Sequence, residues 1–212
     1  MKVDAYSGAT KVNLQEYLVK NAAYTCYTLW HTAYGPTRAK ILAVLDARID
    51  SAGLEKIFAL NDPKFHIWAI KTIEKHPEFH AAFYPMIIRL IESGNMDIAH
   101  RALDYFTPAR LQDGTVQTGI AQTLGESLPQ LRFYIILKFK SLPRISNDAI
   151  LIMLEQYETQ KIYAGLLAGV CEMIQPENLK DPRIIQKLKK LSKDKNQYVR
   201  GMAENLIAIS KK

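Results

Sequence analysis

The stretch DPKFHIWAIKTI, residues 62–73, decides the fold once it is set above four later stretches: NMDIAHRALDYF (95–106), LPQLRFYIILKF (128–139), TQKIYAGLLAGV (159–170) and NQYVRGMAENLI (196–207). A large apolar residue anchors each copy, at Phe65, Ile98, Leu131, Ile162 and Val199, with spacings of 33, 33, 31 and 37 residues. Four residues on stands Ala69, Ala102, Ile135, Leu166 or Ala203, and one turn later Ile73, Phe106, Phe139, Val170 or Leu206. Spacing by four places side chains on one helix face, so each copy reads as a helix with a single buried stripe. Recurrence near 33 residues is the mark of stacked supersecondary units, none of which buries its apolar face alone.

Working outward, each copy is preceded by a second helical pattern, as in GLEKIFALN (53–61), HAAFYPMIIRLIESG (80–94), SNDAILIMLEQYE (146–158) and DPRIIQKLKKLSKD (181–194). Turn signals at Asn61-Asp62-Pro63, His76-Pro77, Gly94-Asn95, Thr107-Pro108, Ser127-Leu128-Pro129, Leu142-Pro143 and Asp181-Pro182 cut the chain into short helices. No segment alternates apolar and polar residues as a strand does, so the expected class is all-α. Asp62-Pro63 at the head of the first copy and Val199-Arg200 in the last, with Arg132 again following an anchor, resemble the second helix of a HEAT or HEAT-like repeat. The resemblance implies a right-handed α-solenoid of about five HEAT-like helix pairs over residues 51–212, with a concave face for a protein partner. An aromatic helix and a capping helix over 13–50 and a tail over 1–12 would precede it. Nearly every aromatic and Met in the repeat helices is expected to pack in the core.

Apolar residues form 48% of the 212-residue chain and charged residues 23%, which excludes disorder and low-complexity classes. No run reaches the roughly 18–20 apolar residues that span a bilayer. With Met1 as the natural start and no hydrophobic signal region, a cytoplasmic location is expected. Two cysteines, Cys26 and Cys171, are too few for a disulfide scaffold, and neither has a partner spacing that suggests a catalytic thiol. His76 and His80 stand at helical spacing with Pro77 between them, which favours a helix start over a zinc site.

The net charge of +7 raises nucleic acid as a partner, and small basic HEAT-repeat alkylpurine DNA glycosylases give that reading a precedent. Its distribution argues against it: residues 175–212 carry ten basic and four acidic residues, so most of the surplus sits on the last pair, where a polar cap is needed. Trp30 and Trp68 lie outside that segment.

The segment DAYSGAT, residues 4–10, lacks helical periodicity and resembles the D-x-x-[ST]-G-A-[ST] signature of FMN-binding domains of the Rnf and Nqr electron-transport type. The resemblance implies that a flavin transferase attaches FMN through its phosphate to Thr10, with Asp4, Ser7, Gly8 and Ala9 forming the recognised site. It further implies an extracytoplasmic location. The signature normally closes an FMN-binding domain of its own, so the expectation is that this chain forms the C-terminal part of a longer electron-transfer protein. Tyr24, Tyr27, His31 and Tyr34 fall on one face of the following helix, with Trp30 nearby, and either flank a flavin or pack on the first repeat. Two other readings stay open: a plain protein-binding scaffold whose Ser7, Gly8 and Thr10 form a flexible leader before an Asn13 cap, and a DNA-binding solenoid. No complete catalytic constellation is legible in the sequence.

Overall fold

The computed structural model describes residues 29–30, 34–60 and 62–211, and among these residues the chain is helical, without strands. Eleven helices follow one another: α1 Pro36–Arg48, α2 Ser51–Phe58, α3 Pro63–Lys75, α4 His80–Leu90, α5 Met96–Tyr105, α6 Gly114–Thr123, α7 Pro129–Lys140, α8 Asn147–Glu158, α9 Ala164–Met173, α10 Pro182–Leu191 and α11 Gln197–Ile209. Short 3₁₀ turns at Pro77–Phe79, Arg110–Gln112 and Asn178–Lys180 lead into helices or follow them. The chain divides into two compact units, Met1–Leu54 and Glu55–Lys212. In the first, α1 has no buried residue and exposes Ile41, Leu42, Val44 and Leu45.

Helix starts follow from short polar side chains that satisfy otherwise orphaned N–H groups. Asp62 accepts from Lys64 N, Asn95 from Asp97 and Ile98 N, Asp113 from Thr115 N, Ser146 from Ala149 N, Asp181 from Arg183 N and Asn196 from Tyr198 N. Pro63, Pro129 and Pro182 occupy first helical positions, where the missing N–H costs nothing. The repeat is thus punctuated by local chemistry before any tertiary contact forms.

In the second unit the helices fall into two rows. One row runs α4, α6, α8, α10 and the other α3, α5, α7, α9, α11, each helix packing on the next in its row. The rows meet where α3 packs on α4, α4 on α5, α8 on α9 and α10 on α11. Helices of the second row start at residues 63, 96, 129, 164 and 197, intervals of 33, 33, 35 and 33. The seventh residue of each is Ala69, Ala102, Ile135, Val170 and Ala203, every one at most 1% exposed. These positions form a buried stripe that recurs along the second row.

The fourth copy of the repeat departs from the register read in the sequence. Ile162 lies in the turn before α9, and the anchor equivalent to Ile98 and Leu131 is Leu166. The cause is helix length: α8 has 12 residues where α6 and α10 have 10, so α9 starts two residues late. Phe65, the first expected anchor, is 46% exposed, whereas Ile98, Leu131, Leu166 and Val199 are buried.

Turns between helices are held by side chains that donate to backbone carbonyls. The fourth residue of α3 is His66, whose Nε2 donates to the carbonyl of Phe58, the last residue of α2, at 3.1 Å. The fourth residue of α7 is Arg132, which donates to the carbonyls of Ser127 at 3.0 Å, Gly125 at 2.7 Å and Lys161 at 2.7 Å. The fourth residue of α11 is Arg200, donating to Asp194 O at 2.8 Å and Lys195 O at 3.0 Å. Helix C-termini leave carbonyls without intrahelical partners, and a cation at this register supplies the missing donors.

On the opposite edge, buried amides join successive pairs. Gln117 donates to Leu111 O and Arg144 O and accepts from Ser146 N at 2.7 Å; Asn178 donates to Ile145 O at 3.0 Å and Asn147 Oδ1 at 2.8 Å. Because hydrogen bonds from a charged donor contribute about 1.5–3 kcal/mol, replacing Arg132 by Met should cost roughly 2–3 kcal/mol in urea unfolding. Lys140→Met, which removes only the exposed pair with Glu172, should cost less than about 1 kcal/mol, and equal losses would contradict this division.

Candidate interaction surface

The outer side of the second row carries a run of ion pairs that links its helices in order. Glu74 of α3 pairs with Arg101 of α5, Asp104 of α5 with Lys138 of α7 at 3.7 Å, and Lys140 of α7 with Glu172 of α9. Lys138 is 19% exposed, and burial lowers its pKa more than the Asp104 carboxylate raises it. These pairs align neighbouring helices; as part-exposed pairs they add little stability.

Among these charges α7 stands out. Its sequence PQLRFYIILKFK is apolar on both faces: Leu131, Ile135, Ile136 and Phe139 are buried, while Phe133, Tyr134 and Leu137 are 56%, 47% and 43% exposed. His100 of α5 meets the Tyr134 ring edge-on at 4.6 Å between centroids, and Phe133 meets Tyr134 at 6.3 Å. A surface helix normally carries one apolar stripe, and a second contiguous apolar face on a folded chain marks a site of association. Tyr163, just before α9, is 66% exposed. The expectation that aromatics of these helices fill the core therefore fails at Phe65, Phe133, Tyr134 and Tyr198. For α7 the sequence offers no signal that separates the buried face from the exposed one, because the helix is apolar all round.

The described histidines have structural partners. His66 binds Phe58 O, His80 Nε2 lies 3.0 Å from Ile73 O, His76 Nδ1 lies 3.1 Å from Glu78 Oε1, and His100 packs on Tyr134. His76 ends α3 and His80 opens α4, with Pro77 starting the 3₁₀ turn between them. Among the described residues no group of three or more His, Cys, Asp or Glu side chains is placed to hold a metal ion. No described helix is long and apolar enough to cross a membrane. Asp4, Ser7, Gly8, Ala9 and Thr10, as well as Asn13, Tyr24, Cys26, Tyr27 and His31, lie outside the described residues. Trp30 and Tyr34 are described and are 54% and 76% exposed.

Cys171 sits in α9 at 7% exposure, and burial, aided by the neighbouring Glu172 charge, pushes its thiol up to about 12. A thiol with so small a thiolate fraction is a poor nucleophile. In the folded protein near neutral pH, iodoacetamide should leave Cys171 unmodified by peptide mapping, and denaturant should make it react; rapid labelling of the native chain would show this environment to be wrong. Comparison of the chain with protein families, with curated proteins and with solved structures finds no match.

Proposed function

We propose that the unit from Glu55 onward is an α-solenoid of HEAT-like helix pairs that acts as a non-catalytic interaction module. The observation that carries this reading is the apolar outer face of α7, with Phe133, Tyr134 and Leu137 exposed side by side on one helix, whereas Phe65 on α3 and Tyr198 and Ile209 on α11 are exposed apart from one another. Burying three such side chains against a protein partner would contribute several kcal/mol, at about 1.5–3 kcal/mol for each fully covered side chain. The period of the helix starts and the two-row packing support the solenoid, with a right-handed course expected from the HEAT resemblance. The outer face of the second row is then the concave binding face.

The tail adds a second element to the proposal. Asp4, Ser7, Gly8, Ala9 and Thr10 match the flavinylation signature residue by residue, and Thr10 carries the hydroxyl that the linkage requires. In this reading the Thr10 Oγ1 attacks the FMN-side phosphorus of FAD within a flavin transferase. The new P–O bond would form as the pyrophosphate bridge breaks, with AMP leaving and the Thr10 hydroxyl proton passing to solvent. When bound, FMN would supply electron transfer, and the repeats would dock the redox partner, outside the cytoplasm. A plain scaffold without cofactor is the competing reading; it shares the α7 face and lacks the flavin.

Two measurements test the two elements separately. Co-expression with a flavin transferase should raise the intact mass by one FMN phosphoester, and Thr10→Ala should abolish the increment; an unchanged wild-type mass leaves only the scaffold. Phe133→Ser combined with Tyr134→Ser should leave urea stability within about 1 kcal/mol, as expected of exposed positions. The same variant should lose the proteins that the wild-type chain retains from its native source, and identical retained sets would rule out α7 as the binding face.

A further inference from the structure

A cleft of about 650 Å³ opens beside the turn between α8 and α9 and the turn between α10 and α11. Its volume falls within the range of ligand clefts, about 300–1,000 Å³. Ile162 and Leu191, 4% and 3% exposed, form its apolar floor together with Tyr157. Lys190, Lys193 and Lys195 stand around it. This places the cleft on the edge of the unit that holds the intra-pair turns, a different surface from the outer face of α7.

Two carboxylates also line the cleft, and both are already engaged. Glu158 receives Lys187 Nζ at 2.6 Å and Lys190 Nζ at 3.2 Å on the same oxygen. Burial pushes its carboxyl up, and the hydrogen bonds from the two lysines more than offset this, so it stays ionised below the usual range. Asp194 accepts from Asn196 N at 2.8 Å. Lys193 and Lys195 are exposed, and neither forms an ion pair among the described residues. The uncompensated charge of the cleft is therefore positive and sits at the rim of an apolar floor.

We propose that this cleft binds an acidic peptide segment of a partner protein, an apolar side chain of the segment resting on Ile162 and Leu191 and its carboxylates facing Lys193 and Lys195. Charge complementarity selects the sign of the occupant. The apolar floor selects a peptide over a nucleic acid. Nucleic-acid grooves combine a track of cations with aromatic faces for bases. Here the cations surround one depression, and the sole aromatic ring that lines it, Tyr157, is half-buried. Gln160, which also lines the cleft, holds a positive φ of 60° in the turn that follows α8 and precedes Ile162. The inference rests on the reading of the chain as an interaction module but not on the flavin or on the α7 face.

Fluorescence anisotropy with a labelled, end-blocked peptide of sequence Glu-Asp-Leu-Glu-Asp-Phe-Glu tests it, alongside the same peptide with Gln and Asn for the acids and a labelled DNA duplex. The full chain should bind the acidic peptide at low salt, release it as salt rises and ignore the amide peptide. Lys193→Glu with Lys195→Glu should weaken binding by about tenfold or more, the effect of reversing two rim charges, with the thermal unfolding midpoint unchanged. Backbone amide shifts in the bound state should cluster at residues 157–162 and 190–195. Absence of salt-sensitive peptide binding, tighter binding of the DNA duplex, or equal affinity in the Lys193/Lys195 variant would each overturn the proposal. Loss of peptide binding in the Phe133/Tyr134 variant alone would transfer the peptide to α7 and leave the interaction-module reading standing.

Discussion

No helix pair of the second unit buries its own apolar stripe, and every other feature follows from that dependence. Ala69, Ala102, Ile135, Val170 and Ala203 are buried in a unit whose helices each pack on the next in their row. Gly169 shows how tight the row packing is: a Cβ there would lie 2.7 Å from Ile136 Cγ2 of α7. At Gly125 the constraint is polar, since a Cβ would fall on Gln156 Oε1, whose amide nitrogen donates to Gln122 O at 3.0 Å. Burial of apolar area drives the stacking, and the buried amides fix its register because an orphaned buried amide would cost about 1–3 kcal/mol.

Stacking also separates what must repeat from what is free to vary. The buried seventh residue recurs in every second-row helix, side-chain caps recur at α3, α5 and α11, and a donor at the fourth residue recurs at α3, α7 and α11, with Ala99 and Leu167 in its place in α5 and α9. Outward positions face no such constraint, and there the copies diverge: α3 exposes Phe65 beside lysines, α7 exposes Phe133, Tyr134 and Leu137, and α11 exposes Tyr198 and Ile209. Divergence on an otherwise regular scaffold is where recognition is written, since a partner reads differences between repeats and not the repeat itself.

The repeat and its caps were legible in the sequence because both are local. Asp62-Pro63, Asn95, Ser146, Asp181-Pro182 and Asn196 announce helix starts through chemistry that acts within two or three residues, whereas the Asp113 cap of α6 went unread. The fourth register was misread because Ile162 is as apolar and as buried as a true anchor. Only the length of α8 distinguishes it, and a strict period conceals a two-residue extension. Exposure of Phe133 and Tyr134 was not legible for a related reason. Periodicity assigns one stripe per helix, and in a helix apolar all round, two stripes satisfy the same pattern. The cleft at Ile162 and Lys193 was invisible because its parts are separated by about one period and meet through stacking.

The basic surplus of the last pair acquires a more particular meaning from its geometry. A capping surface needs hydration, which acids and bases provide equally, so capping alone accounts for charge but not for its sign. Glu158 accounts for part of the sign: Lys187 and Lys190 of α10 reach across to it from the next pair and bind α10 to α8. Arg183 is accounted for by Asp181 and Asp148, and Arg200 by the carbonyls of the turn before α11. Among the described residues Lys193 and Lys195 have no such partner, and they flank Asp194, whose carboxylate accepts from Asn196 N. Two unpaired cations beside a hydrophobic depression form a local arrangement that neither solubility nor stacking requires.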